Sequence, residues 1–184
     1  MRLYRKTAFG PHLDIDLVFN GQQLHHFLLR EVVHANPDVI SFYILRKKVT
    51  FSQDDFNFIT WLWPTRKTVE REISGERLRE LILGPNDPNE KHSSCKDVEI
   101  AFEKFNFTND EDAVKVALAL FIETEMIGKD KKTQLDVNIF GIVDDHDVFV
   151  HYDWSSLFSR CTLNSMKTIM RGQKEGYDSE KSRK

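Results

Sequence analysis

The residue types best suited to chemistry stand close together in the C-terminal part of the chain. They are two histidines, an aspartate and a cysteine, namely His146, His151, Asp153 and Cys161. A cysteine protease needs a thiol, an imidazole base and a group that orients the base, so these residue types permit that chemistry. Cys161, however, falls on the apolar face of a predicted helix, and free cysteines generally behave as small buried hydrophobic side chains. A structural thiol is therefore favoured, and we predict no catalytic residues.

The same stretch offers carboxylates and imidazoles, which are common metal ligands. Its candidates are Asp144, Asp145, His146, Asp147 and His151, with further imidazoles at His25, His26 and His34. Their spacing matches no standard zinc motif, and adjacent residues such as His25 and His26 point in different directions on a helix. An acidic turn more often caps a helix or faces solvent. We accordingly predict neither a metal site nor a cofactor.

Two basic clusters at predicted turns are the candidates for contact with nucleic acid. They are Arg46, Lys47 and Lys48 in one turn, and Lys129, Lys131 and Lys132 in a later loop. Phosphates attract such cations, and Tyr43 or Trp61 is available to stack on a base if it is exposed. The whole chain, however, has a net charge of -3, whereas polyanion binders usually carry a basic excess. Nucleic-acid binding is therefore kept as an alternative.

Composition places the chain among intracellular globular proteins. With 184 residues, 40% of them hydrophobic, and 14 Phe, the chain can bury a sizeable core in one domain. Its 2 Cys are too few for a disulfide framework, which fits a reducing compartment. No apolar run has the length of a signal peptide or approaches the roughly 20 residues of a membrane span. We expect no membrane association, and composition leaves the oligomeric state open.

The densest apolar stretch contains a predicted hairpin at 40–51 followed by a helix. Alternating apolar and polar residues predict two short strands around a bend at Arg46-Lys47-Lys48. The helix is expected to start at Ser52, an N-cap type, with Asp55 where a capping box normally has Glu or Gln. It is apolar nearly all round until Pro64 disfavours its continuation. Such a helix must be buried or bound by a partner.

The aromatic residues of this stretch are the candidates for a recognition surface. They are Tyr43, Phe58, Trp61 and Trp63. Their number exceeds what one helix face can bury, which predicts a surface for a protein partner. Other apolar residues are expected to share one core, namely Leu28, Phe42, Phe51, Phe56, Ile59 and Phe121.

Apolar residues at helical spacing along the rest of the chain predict a mostly helical α+β fold. In it, the small hairpin is docked on a bundle of about six helices. Residues 1–19 are expected to form an extended segment, and residues 20–172 a single globular domain. Its first helix is predicted to run from an Asn20 cap to His34. Residues 173–184 lack aliphatic anchors that would offset their ordering entropy, so we predict a disordered tail.

Three motifs resemble, in order and spacing, a plant domain of unknown function. Residues 28–32 read LLREV, residues 50–52 read TFS and residues 55–62 read DFNFITWL. The family pattern is a leucine-leucine-arginine-x-valine helix, a hairpin ending in arginine-phenylalanine-serine, and a helix reading glutamate-phenylalanine-x-leucine-isoleucine-threonine-glycine-leucine. The acidic residues 144–147 and the aromatic Phe149, Tyr152 and Trp154 resemble the family's ending. The resemblance covers most of the chain.

The chain departs from this pattern at two places where the family has glycine. The family's glycine pair in the hairpin bend is replaced near Leu45-Arg46, and its threonine-glycine-leucine reads Thr60-Trp61-Leu62. Glycine permits a tight bend and a close approach of backbone. The two replacements therefore put both features in question here.

The resembled domain stands upstream of ubiquitin-like (SUMO) protease domains in proteins derived from Mutator-like transposons. The resemblance implies a nuclear protein of that kind. The favoured function is a non-catalytic protein-recognition module with an unidentified protein partner. An accessory nucleic-acid-binding domain of such a protein is the alternative, and a cysteine protease-related enzyme ranks third.

Overall fold

The computed structural model describes residues 2–11, 20–32, 34–65, 69, 71–85 and 93–169. They form α-helices and one small three-stranded antiparallel sheet, which confirms the predicted mostly helical α+β class. In chain order the elements are α1 (Gly21–Leu28), β1 (Glu31–Val32), β2 (Ile40–Ile44), β3 (Lys47–Phe51), α2 (Gln53–Thr60), α3 (Glu76–Leu83), α4 (Cys95–Lys104), α5 (Asp110–Phe121), α6 (Val137–Asp144), α7 (His146–His151) and α8 (Trp154–Ile169).

Contacts divide the chain into two compact units. The helical unit combines Met1–Ile15 with Thr65–Tyr152, and the hairpin unit combines Asp16–Pro64 with Asp153–Lys184. The single globular domain expected over residues 20–172 stays a prediction. No helix in the described part of the chain is both long enough and apolar enough to cross a membrane.

The hairpin closes through a two-residue turn at Leu45 and Arg46. Their φ angles are 49° and 65°, the left-handed pair that a type I′ turn requires and that Asn and Gly adopt most easily. The bend therefore precedes the predicted Arg46-Lys47-Lys48 turn, and Lys47 and Lys48 begin β3. The chain keeps a tight bend here without glycine.

The first helix ends earlier than the sequence predicts because the next residues join the sheet. Asn20 caps α1 as expected. The helix stops at Leu28 rather than His34, since Glu31-Val32 forms β1 and pairs with β2. A strand of two residues shows no alternation of its own, so the hydrophobic pattern does not reveal it.

The core of the hairpin unit lies where the sheet meets α1 and α8. Its buried centre consists of Leu28, Ile40, Phe42 and Leu163, and Phe27, Ile44, Phe51 and Met166 are among the partly buried residues around it. Leu28, Phe42 and Phe51 thus share a core as predicted, and Phe56 is buried too. The placing of Ile59 and Phe121 in that core is wrong. Ile59 is exposed, and Phe121 packs in the helical unit, against Tyr4 and Phe9.

Side chains at the helix starts cap the helices of the helical unit. Ser94 and Asp97 form a capping box at α4, and Asn109 caps α5. Beyond α5 the chain continues as a π-helix, Ile122–Met126. Such π-helical turns are rare and occur often at functional or strained positions.

The N-terminal segment is described over residues 2–11, where it forms turns and a 3₁₀ helix at Tyr4–Lys6. Phe9 is fully buried against Phe121 and Phe149. Gly10 allows the segment to fold back, because a Cβ there would lie 2.3 Å from the carbonyl oxygen of Arg5. The alternating residues 12–19 and the predicted tail 173–184 lie outside the described residues.

Candidate protein-interaction surface

The second helix and the residues that follow it present several aromatic side chains to solvent. Phe58, Trp61 and Trp63 are 75%, 81% and 62% exposed, and Ile59 is 68% exposed. We call Phe58, Ile59, Trp61 and Trp63 the aromatic segment. Large exposed apolar side chains that stand close together in the chain are candidates for an interaction site.

Helical spacing explains which side of α2 is exposed. Phe56 points inward and is buried. Ile59 lies one turn after Asp55 and so shares the exposed side of that aspartate. Phe58 follows Asp54 in the same way. The sequence thus held a signal that Ile59 is not a core residue, since an aspartate pair one turn earlier marks the solvent side.

Trp61 takes a backbone conformation that glycine normally supplies. The helix ends at Thr60, before the predicted stop at Pro64, and Trp61 is its C-cap with φ 59° and ψ 17°. This left-handed conformation costs a residue with a Cβ about 1–2 kcal/mol, and glycine is strongly preferred where helices end this way. The glycine of the resembled family at this position therefore matches the backbone that Trp61 adopts.

Hydrogen bonds fix the chain on both sides of Trp61. Its N–H donates to the carbonyl oxygen of Asn57 at 2.8 Å, and the N–H of Leu62 donates to Thr60 Oγ1 at 3.4 Å. Leu62 is buried, so the exposed Trp61 and Trp63 flank an anchored residue. A surface preorganised in this way loses little conformational entropy when it binds.

Asn57 connects this end of α2 to the start of α8. With its nitrogen facing the acceptors, the buried Asn57 amide lies 3.1 Å from both Gln53 O and Leu62 O and also faces the Ser155 hydroxyl, and its two N–H hydrogens are shared among these three acceptors. The Gln53 side chain donates to the hydroxyls of Ser155 and Ser156 at 3.3 and 3.0 Å. A buried polar network with satisfied members favours one arrangement. The backbone under the aromatic segment is therefore held in place.

Tyr43 is positioned by the hairpin. It lies on β2 opposite Lys48 of β3 and is 52% exposed. Leu45 and Val49 of the same hairpin are also exposed, and the sequence analysis did not single them out. The four predicted partner-binding residues are thus all accessible. Three of them lie in the aromatic segment and Tyr43 lies in the hairpin.

The two predicted basic clusters differ in their surroundings. Arg46, Lys47 and Lys48 are exposed, and no carboxylate of the described residues forms an ion pair with them. In the later loop, Lys129 pairs with the carboxylate of Glu123, and Lys131 pairs with Glu99 at 2.7 Å. Lys132 is exposed there. Only the hairpin cluster therefore offers several uncompensated cations within the described chain.

Glu123 is a buried acid that the sequence analysis missed. It lies in the π-helix and is fully buried. Burial raises the pKa of its carboxyl group, while the bond from Lys129 opposes that rise. The carboxylate also accepts a bond from the N–H of Asp136 at 3.4 Å. Lys129 thus compensates a charge in the interior, which removes it from a solvent-facing cluster.

Ion pairs and a helix cap account for the acidic turn. Arg77 donates to both oxygens of Asp144 at 2.6 Å, and Lys115 adds a bond at 3.1 Å. The hydrogen bond from Arg77 lowers the pKa of Asp144 below its usual value. Asp145 caps α7, a short helix that the sequence analysis treated as a turn. Among the described residues, no group of His, Cys, Asp and Glu is arranged to hold a metal ion.

Neither cysteine forms a disulfide. Cys95 is buried at the start of α4, and burial raises the pKa of its thiol. Because the thiolate is the nucleophilic form, a raised pKa makes Cys95 less reactive at neutral pH. Cys161 is half-buried on α8.

Comparison with known protein families identifies the family of this chain. The family model described as "Domain of unknown function (DUF1985)" matches residues 28–165, a span from the end of α1 into α8. The chain therefore belongs to this family. A search of curated proteins and a search of solved structures each gave no match.

Proposed function

We propose that this domain is a non-catalytic protein-recognition module that binds a protein partner through the aromatic segment and Tyr43. The predicted binding residues are Tyr43, Phe58, Trp61 and Trp63, to which the exposed Ile59 is added. Tryptophan and tyrosine dominate the energetic hot spots of protein interfaces, whereas lysine is depleted there.

One observation carries the proposal: a tryptophan stands exposed in a backbone conformation that favours glycine. Trp61 has φ 59° and is 81% exposed. Glycine would end the helix at lower conformational cost, and an exposed indole buries little apolar area within the chain. Backbone strain that the fold does not need is a reason to look for function. A partner that buries the indole accounts for both features.

The exposed side of α2 also indicates the chemistry of the partner. Asp54 and Asp55 occupy the first turn, and Phe58 and Ile59 follow on the same side. Hydrogen bonds from Ser52 lower the pKa of Asp55, so its carboxylate is ionised at neutral pH. A matching partner presents an apolar groove with basic residues at one border.

The biological setting of the proposal comes from the resemblance. In this setting the module belongs to a nuclear plant protein derived from a Mutator-like transposon, the kind of protein in which the resembled domain stands upstream of ubiquitin-like (SUMO) protease domains. A recognition module in such a protein holds a partner near the protease and contributes no catalytic residue.

An accessory nucleic-acid-binding role is the second candidate, and the hairpin cations favour it. Arg46, Lys47 and Lys48 are exposed without carboxylate partners among the described residues. The second cluster gives less support, because Lys129 and Lys131 are both in ion pairs. Binding through the hairpin alone would be weak and would fall steeply with salt as counterions are released.

Affinity capture from a plant nuclear extract tests the proposal with three variants. Trp61→Ala removes the indole while leaving the surrounding hydrogen bonds, and we expect capture to fall about tenfold or more, as for a hot-spot residue. The double variant Lys47→Ala/Lys48→Ala should change capture little. Ile100→Ala, an exposed apolar residue on α4, serves as the matched control.

The nucleic-acid alternative predicts the opposite pattern. Salt-sensitive binding of DNA or RNA at physiological ionic strength, lost in Lys47→Ala/Lys48→Ala and indifferent to Trp61→Ala, would replace the proposed function by that alternative.

A further inference from the structure

A cleft of about 540 Å³ lies within the helical unit, between the N-terminal segment and helices α5, α6 and α7. Its interior is apolar, because the buried Leu118, Val143 and Phe149 line it together with Val114. Ligand sites in proteins commonly have volumes of roughly 300–1,000 Å³ and mostly apolar walls with a few polar groups. Size and lining both fit a small-molecule site.

The N-terminal wall of the cleft has a defined structure of its own. Thr7 Oγ1 donates to the carbonyl oxygen of Tyr4 at 2.8 Å, and the N–H of Gly10 donates to Thr7 O at 3.0 Å. Phe9 anchors the segment through aromatic contacts with Phe121 and Phe149, each with ring centroids 5.9 Å apart. The cleft is therefore bounded by packed elements on both sides.

Charges at the rim select the kind of ligand. Lys115 pairs with Glu111 at 3.0 Å and with Asp144 at 3.1 Å, so its charge is compensated. Lys6 lines the same rim, is exposed and has no carboxylate partner among the described residues. One uncompensated cation beside an apolar interior suits a molecule with an apolar body and a single negative charge.

We propose that the cleft binds a small amphipathic carboxylate. Its apolar body lies between Leu118, Val143 and Phe149, and its carboxylate pairs with Lys6. His146 lies on the same lining and supplies a further hydrogen-bonding group. This site is separate in residues from the aromatic segment, so it stands independently of the proposed protein-recognition function.

Titrations of the full chain with three probes, followed by NMR of the labelled protein, test the site. Octanoate should bind saturably at one site and shift the amide signals of Val114, Leu118 and Phe149. The neutral 1-octanol should bind about fivefold more weakly, the effect of losing an ion pair of about 1 kcal/mol. Acetate, which has the carboxylate of octanoate but lacks its apolar chain, should not bind measurably.

Three variants locate the contacts. Lys6→Ala should weaken the binding of octanoate about fivefold, so that octanoate no longer binds more tightly than 1-octanol. Lys132 is an exposed lysine outside the cleft, so Lys132→Ala should leave the affinities of both probes unchanged. Val114→Phe should fill the cleft and abolish binding of both. If circular dichroism shows that Val114→Phe is unfolded, Ala8→Leu at the exposed rim replaces it.

Two results would overturn the proposal. The first is no saturable binding of octanoate, or binding whose shifts map away from the cleft. The second is 1-octanol binding as tightly as octanoate, which would remove the carboxylate from the ligand and favour an apolar side chain of a partner protein as the occupant.

Discussion

In the helical unit Arg77, Lys115, Lys129 and Lys131 form ion pairs with carboxylates, whereas in the hairpin unit a cluster of cations and several aromatic residues face solvent without such partners among the described residues. Arg77 pairs with Asp112 at 2.7 Å and with Asp144 at 2.6 Å. By contrast, Arg46, Lys47 and Lys48 have no ion pair among the described residues. Among the described residues, the large exposed aromatic side chains, Tyr43, Phe58, Trp61 and Trp63, also lie in the hairpin unit.

Left-handed backbone positions show the contrast most clearly. The helical unit uses Gly84 and Gly128 at positive φ. The non-glycine residues with positive φ among the described residues are Leu45, Arg46 and Trp61, all in the hairpin unit. These are the two places where the resembled family has glycine. At these positions the helical unit has the residue type that the backbone favours, whereas the hairpin unit has side chains that lower its stability.

The largest predicted difference in stability is between the alanine variants of two phenylalanines on α2. Phe56 is buried and Phe58 is exposed, two positions apart on α2. Phe56→Ala should cost about 3–5 kcal/mol, because truncation of a buried aromatic leaves a cavity. Phe58→Ala should change stability by less than about 0.5 kcal/mol. Urea unfolding of the two variants measures the difference, and equal midpoints would show that the exposed side of α2 is assigned incorrectly.

We expect a smaller loss of stability when an ion pair of the helical unit is weakened. Asp144→Asn should lower the free energy of unfolding by about 1–2 kcal/mol, because it weakens the bonds from Arg77 and Lys115. The loss is limited because Arg77 is half-exposed and solvent screens its charge. Lys48→Ala, its counterpart in the hairpin unit, should be neutral within about 0.5 kcal/mol. Denaturant midpoints of both variants check whether only the matched charges stabilise the chain.

The pH dependence of Asp144 has a definite sign. Its pKa is lowered in the folded protein, so its stabilisation is complete above the unfolded pKa of about 3.9 and is lost as the pH falls through the folded value. Wild type should therefore lose more stability than Asp144→Asn between neutral pH and pH values below about 4. Parallel acid unfolding curves of the two proteins would contradict the assigned pairing.

Substitutions at residues with a left-handed backbone should change stability in opposite directions in the two units. Gly128→Ala should destabilise by about 1 kcal/mol through backbone strain alone, because a Cβ there meets no atom within 4 Å. The double variant Leu45→Asn/Arg46→Gly should stabilise by about 1 kcal/mol, since it supplies the residues that a type I′ turn favours. Thermal midpoints would shift by roughly 2–4 °C in each direction. Shifts of the same sign would remove the contrast.

The sequence predicts features that depend on neighbouring residues better than those that depend on distant ones. The Ser52 cap, the Asn20 cap and the hairpin follow from local patterns, and the structure confirms them. The strand Glu31–Val32 exists only because β2 pairs with it, and the burial of Glu123 depends on packing against other elements. No local pattern contains that information.

The candidate surface was predictable only in part, because local sequence patterns show which residues are apolar but not which of them are buried. An excess of aromatic residues identified Tyr43, Phe58, Trp61 and Trp63, which are all exposed. Ile59 was assigned to the core because apolar spacing alone does not say which side of an apolar helix faces solvent. The left-handed conformation of Trp61 also required the structure, although the replaced glycine pointed to the position.

We infer that Trp61 is kept for binding at a cost in stability, and the variant Trp61→Gly tests both the binding and the cost. Trp61→Gly should be more stable than Trp61→Ala by about 0.5–1 kcal/mol, because glycine tolerates the left-handed C-cap. It should nevertheless lose capture of the nuclear-extract partner as completely as Trp61→Ala does. The measurement is a thermal midpoint and a quantitative capture on the same protein samples. We expect Trp61→Gly to be at least as stable as wild type and not to bind. Wild-type capture by Trp61→Gly, or a loss of stability comparable to that of Phe56→Ala, would show that Trp61 is not kept for binding at a cost in stability.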